Sequence, residues 1–153
     1  MLCFDRASFF NEAAKGSTFV PLANSWPADL ETPLTTWLKV GQGNPPGVLL
    51  ESVEGGEILG RWSVVASDPL WTATFKGGKL TRVWRDGRKD EYEGNPFIGL
   101  RNWLAKYQVG SLPDGLPLLG QLYGIWGYEL IEWIEPTVKV HPRNSDAPPD
   151  GIW

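Results

Sequence analysis

The sequence is poor in the residues that much enzymatic and metal chemistry draws on: 153 residues include one cysteine, Cys3, one histidine, His141, and one methionine. A lone cysteine excludes an internal disulfide. One histidine leaves no supply for a Cys/His metal cluster or a Ser/His/Asp triad. His141 stands among Lys139, Val140, Pro142 and Arg143 with no cysteine or acid at ligand spacing, so it reads as structural or exposed. No run of about 18 apolar residues occurs, and Met1-Leu2-Cys3-Phe4-Asp5 lacks a basic segment leading into an apolar one. Membrane spanning and secretion are therefore disfavoured, and a cytoplasmic location is the expectation. Basic residues are too few and too scattered for a nucleic-acid footprint, with Lys and Arg at 14 against 18 Asp and Glu and a net charge of -4. Neither a P-loop nor a G-x-G-x-x-G turn is present, which argues against a nucleotide site.

What remains is an ordinary soluble composition, 42% apolar and 21% charged, long enough to bury one core without disulfides or metal. No internal repeat and no low-complexity tract interrupts it. Nine tryptophans stand out. Rings of that size serve either an aromatic core or a surface that another element covers.

Helix punctuation is clear. Asp5 or Ser8 can cap a helix running to Ala14, with Phe9, Phe10 and Ala13 on one side and Gly16 at its stop. Thr32-Pro33 and Asn95-Pro96 each place a capping side chain before a proline at the first helical position, predicting helices 33–39 and 96–107. Leu34, Trp37 and Leu38 form one apolar stripe, and Phe97, Leu100, Trp103 and Leu104 another that faces inward. Strands are predicted at 18–22, 48–50, 62–65, 71–75, 80–84 and 118–126. Gly77-Gly78 and Asp86-Gly87 read as tight turns, so consecutive strands in the middle of the chain should form an antiparallel meander. Gly120, Gly124 and Gly127 mark places where something approaches closely, and 128–134 reads as helical. From 137 onward the chain reads as a proline-rich loop whose apolar ending, Ile152-Trp153, looks unfinished. The fold class is α+β: an antiparallel sheet with three or four helices packed on it.

The most informative stretch for chemistry is Leu49-Leu50-Glu51-Ser52-Val53-Glu54-Gly55-Gly56-Glu57, where an apolar strand end delivers an acid and a hydroxyl to a glycine turn. Glu51 could hold a ligand ammonium, Ser52 could donate to a carboxylate, and Arg61 supplies a nearby cation. Glu51 and Ser52 point to opposite faces of an unbroken strand, so one ligand could meet both only through a break or bulge here. The plain alternative is a hairpin whose Glu51, Glu54 and Glu57 face water. In Tyr123-Gly124-Ile125-Trp126-Gly127-Tyr128-Glu129 small residues between rings suit tight packing better than catalysis. Glu129, Glu132 and Glu135 recur at a spacing of three and read as a solvated acidic face, a cation site being the sharper alternative.

The runs Asp29-Leu30-Glu31-Thr32-Pro33, Leu49-Leu50-Glu51-Ser52-Val53-Glu54-Gly55-Gly56-Glu57 and Gly60-Arg61-Trp62-Ser63 resemble, in order and spacing, the anthranilate synthase large-subunit family. So do Asp68-Pro69-Leu70, Asn95-Pro96-Phe97, Gly124-Ile125-Trp126-Gly127-Tyr128-Glu129-Leu130 and Pro149-Asp150-Gly151. The blocks cover nearly the whole chain and resemble the family's amino-terminal region. The resemblance implies that residues 1–153 are a tryptophan-binding regulatory domain. It assigns L-tryptophan contact to Glu51 and Ser52, with Arg61 and Ser63 as weaker candidates. It also implies that the parent enzyme makes anthranilate and pyruvate from chorismate, with Mg2+ and with ammonia from a glutamine amidotransferase partner. Family members carry the chorismate and magnesium residues in a longer carboxy-terminal region. The resemblance therefore places no catalytic residue and no metal in this chain, and the chain alone should be inactive. Two alternatives stay open: the same region of an aminodeoxychorismate synthase large subunit, and a stand-alone small-ligand-binding module.

Overall fold

The computed structural model describes residues 5–41, 46–51, 62–111, 122–141, 144 and 146–153. The α+β class is borne out. Among the described residues three α-helices, α1 (Arg6–Ala14), α2 (Pro33–Val40) and α3 (Pro96–Leu104), accompany two antiparallel sheets. The smaller pairs β1 (Val48–Leu50) with β2 (Val64–Ala66). The larger contains β3 (Trp71–Lys76), β4 (Lys79–Trp84), β5 (Lys89–Glu93), β6 (Ile125–Trp126) and β7 (Gly151–Ile152), in the spatial order β5-β4-β3-β7-β6.

The caps act as their residue types dictate. Asp5 accepts from the Ser8 amide at 2.7 Å and Asn95 from the Phe97 amide at 3.0 Å. Thr32 and Thr35 exchange side-chain and backbone bonds in a capping box ahead of Pro33. Gly77 and Gly78, both at positive φ, form the two-residue turn between β3 and β4 that the flanking twist requires. Gly87, at φ 84°, turns β4 into β5.

The core lies on one face of the large sheet. Alternation along β3 buries Trp71, Ala73 and Phe75, and β4 adds Leu80. Against them pack Leu100 and Trp103 of α3, Leu130, and Trp153. Arg82 shares this face, almost fully buried, with its guanidinium carbon 4.4 Å from the ring centroids of both Trp84 and Trp103. Asp90 compensates it. Oδ2 accepts from Arg82 Nη2 at 2.6 Å, Arg82 Nε at 3.0 Å and Trp84 Nε1 at 2.7 Å.

Several expectations are corrected. Residues 18–22 form no strand; Phe19 makes only an isolated parallel bridge to Val109, because its partner segment is brief and Pro21 lacks a donor. The second strand of the small sheet begins at Val64 rather than 62. α3 ends at Leu104, which is exposed instead of inward-facing. On α1, Phe9 and Phe10 are exposed and pack edge-to-face on each other, while Glu12 is the buried residue. Glu12 accepts from Lys15 at 2.6 Å and from the Ser111 amide at 2.9 Å. Residues 128–134 form a 3-10 helix over Tyr128–Trp133. Of the strand predicted at 118–126, Ile125–Trp126 is observed, and 118–121 lie outside the described residues.

The loop expected from 137 to the last residues takes the largest correction. Gly151–Ile152 is the strand that joins β6 to the meander, with Ile152 opposite both Thr74 and Ile125. Trp153 exchanges backbone bonds with Ala73 at 2.7 and 2.8 Å and its ring is buried. The close approach implied by Gly124 and Gly127 is to this segment. A Cβ on Gly124 would stand 2.3 Å from the Ile152 carbonyl oxygen, and one on Gly127 2.5 Å from that of Asp150. Gly120 lies outside the described residues. None of the helices among the described residues is long and apolar enough to cross a membrane.

Candidate functional site

Two of the sequence-predicted site residues, Glu51 and Ser63, flank the strands of the small sheet. Leu49 lies opposite Val65 and Leu50 opposite Val64. Glu51 follows the last paired residue of β1 and Ser63 precedes the first of β2. Both are exposed. β1 stops at Leu50; the break expected between Glu51 and Ser52 falls partly outside the described residues. Ser52 and Arg61, like Val53 to Gly60, lie outside the described residues.

α2 covers one face of this ladder. The Trp37 indole is the contact: an ideal Cβ on Gly47 would lie 2.5 Å from its Cη2, and one on Gly41 2.7 Å from its Cε3. By period-two alternation Leu49 lies on the α2 side of the ladder, two residues before Glu51. α2 is tied internally. Glu31 is ion-paired with Lys39 and accepts from the Thr35 hydroxyl at 2.9 Å. Lys39 first, and then Thr35, hold the Glu31 carboxyl below the usual glutamate range.

The described residues offer a carboxylate, Glu51, and a hydroxyl, Ser63, flanking the paired strands at the same end, with Leu34, Leu38, Leu50 and Trp62 exposed in the same elements and the residues flanking them. This set suits an ammonium group beside an apolar body. It contains no nucleophile–base pair. Among the described residues no group of His, Cys, Asp and Glu could hold a metal ion, and His141 is exposed. That includes Glu129, Glu132 and Glu135. A cavity of about 290 Å³ lies elsewhere, between Trp84 and Trp103 over Arg82.

The tryptophans divide evenly between the two readings of their abundance. Trp71, Trp103 and Trp153 are buried, Trp37, Trp84 and Trp133 are half-buried, and Trp26, Trp62 and Trp126 are exposed. Sequence reasoning placed Trp37 on an apolar stripe but missed its seat on the ladder. The signal available was a glycine on either side of the loop it spans. It also missed the Arg82–Asp90 pair, which the turn at Asp86-Gly87 makes cross-strand neighbours.

No family model matches the chain. It is 44% identical over 146 residues to anthranilate synthase component 1 of Synechocystis sp., a match covering 95% of this chain and 29% of the relative. Proteins of the same name from Neisseria gonorrhoeae and Pseudomonas aeruginosa are 35% and 34% identical over 92% and 91% of the chain, covering 28% of each relative. The chain thus spans less than a third of the length of these relatives.

Proposed function

The chain belongs to the anthranilate synthase component 1 family over a segment amounting to 29% of the Synechocystis relative, and from that premise we propose that it is the amino-terminal, tryptophan-sensing domain of such an enzyme. The supporting observation is that the antiparallel β1–β2 ladder brings Glu51 and Ser63 to the same end, just past its last pair of Leu50 with Val64, in the segment that carries the Leu-Leu-Glu-Ser run. In this reading Glu51 accepts the ammonium of L-tryptophan, Ser52 and Ser63 donate to its carboxylate, Arg61 adds a cation, and the indole lies on exposed apolar side chains.

The whole enzyme acts in the cytoplasm, converting chorismate and ammonia to anthranilate and pyruvate, with a glutamine amidotransferase as the ammonia source. Magnesium belongs to that reaction, and the described residues of this chain do not fit it, since they include no carboxylate cluster able to hold a metal ion. Catalysis is assigned to the part of the relatives that this chain does not span, which also covers exposed rings such as Trp26 and Trp126. Inhibition follows when tryptophan binds an inactive arrangement of the two regions better than the active one, because equal affinity shifts nothing. The relatives' shared name favours anthranilate synthase over an aminodeoxychorismate synthase or a free-standing binding module.

The test is a hybrid in which this chain replaces the matching segment of the Synechocystis relative, assayed for anthranilate formation while L-tryptophan is titrated, with L-phenylalanine as control. The expected result is an active hybrid inhibited by tryptophan alone. An inactive hybrid overturns the assignment of the chain to this place in the enzyme. An active hybrid indifferent to tryptophan overturns the sensing role.

A further inference from the structure

Glycine is used for two different reasons in this chain. Gly16, Gly77, Gly78, Gly87 and Gly94 have positive φ, where a side chain is strained. Gly41 and Gly47 do not, so their backbone needs no glycine. What they lack is room. A Cβ at Gly41 would meet Cε3 and Cδ2 of Trp37 at 2.7 and 2.9 Å, and one at Gly47 would meet Cη2 and Cζ3 at 2.5 and 2.6 Å. The same point at Gly47 is 3.0 Å from the Ala66 carbonyl oxygen. One indole therefore reaches from the end of α2 to the start of β1 and the end of β2, filling the space two absent side chains leave.

Behind Trp37, α2 is held as a unit by the Thr32–Thr35 capping box and by the Glu31–Lys39 pair. Ahead of it the ladder is short, three pairs long. β1 and β2 contribute no fully buried hydrophobic residue, and Glu51 and Ser63 sit at the end remote from Gly47. Three ladder pairs join the seat of the indole to the strand ends next to those two residues.

We propose that Trp37 is a positioning residue for the effector site: its indole, seated on Gly41 and Gly47, sets where the β1–β2 ladder presents Glu51 and Ser63. The proposal rests on the tryptophan-sensing reading above. Trp37 touches no ligand in it and acts through the strand end.

The experiment uses the hybrid enzyme with four variants: Gly47→Ala, Trp37→Phe, the two combined, and Glu51→Gln as control. An alanine methyl at position 47 collides with the distal ring atoms of Trp37, and phenylalanine lacks those atoms. The expected result is that Gly47→Ala raises the half-inhibitory L-tryptophan concentration about tenfold, or about 1.4 kcal/mol. The kcat and the KM for chorismate stay unchanged. Adding Trp37→Phe returns the half-inhibitory concentration to within about threefold of the unsubstituted hybrid. A purely structural role would move the melting temperature and kcat instead, with no selective loss of sensitivity. If Glu51→Gln leaves inhibition intact, the sensing assignment itself fails. If Glu51→Gln desensitises while Gly47→Ala does not, or if Trp37→Phe fails to rescue Gly47→Ala, the positioning role of Trp37 is overturned.

Discussion

The two sheets of this chain are built by the same rules to different ends. Every fully buried hydrophobic residue among those described belongs to the five-stranded sheet or to elements packed on or flanking it: Trp71, Ala73, Phe75, Leu80, Leu100, Trp103, Leu130 and Trp153. The β1–β2 ladder and α2 contribute none; α2 shows Leu34 and Leu38 to solvent and half-buries Trp37. Local stability follows buried apolar contact, so the large sheet should open last and the ladder first. A low-stability element is a sensible place for an effector to act, because a ligand then shifts a conformation that costs little to change.

The largest effect that can break this comparison is Phe75→Ala. Phe75 is 0% exposed and meets the Trp133 ring edge-on at 5.5 Å. Truncating a buried phenylalanine costs about 3–5 kcal/mol, which for a chain of this size lowers the melting temperature by about 10 °C. A melt within about 2 °C of the parent's would show that the large sheet is not where stability resides.

A smaller effect sharpens the contrast. Thr32→Ala removes the side chain that accepts from the Thr35 amide at 3.1 Å and costs α2 about 1 kcal/mol. Hydrogen exchange should quicken at the α2 amides and leave those of β3 and β4 unchanged. Equal acceleration in both regions would mean that they unfold together and that the ladder has no independent opening.

Legibility in the sequence divides along the same line of locality. Asp5, Thr32-Pro33 and Asn95-Pro96 announced their helices because a cap and its helix are neighbours in the chain. The glycine pair at 77–78 announced its hairpin for the same reason. The strand Gly151–Ile152 was illegible: two residues carry no periodicity, and their partners Thr74 and Phe75 lie far back in the chain. β5 reads Lys-Asp-Glu-Tyr-Glu, a polar edge strand that the apolar pattern passes over, although the turn before it implied a partner. At the candidate site Glu51 was singled out from its motif, whereas the Trp37 seat needed the contact of α2 with the ladder.

The smallest effect is electrostatic and places one carboxylate in each region. Asp90 is held below the usual aspartate range, first by the Trp84 indole N–H and then by Arg82; Glu31 is held below the glutamate range by Lys39 and then Thr35. A carboxyl depressed in the folded state contributes stability that is present above its unfolded pKa and lost as pH falls through the folded value. Both contributions should therefore fade below about pH 4 and be absent at low pH. The contrast lies in what each loss reaches. Asp90 compensates Arg82, whose side chain is only 5% exposed, so its protonation leaves a cation inside the large sheet. Glu31 and Lys39 are both partly exposed, and their pairing is screened by salt. Melting curves between pH 5 and about pH 2 should show a shallower acid slope in Asp90→Asn than in the parent, and no such flattening in Glu31→Gln, whose effect is confined to exchange in α2. A flattening by Glu31→Gln that matches or exceeds that of Asp90→Asn would reverse the assignment of stability between the two sheets.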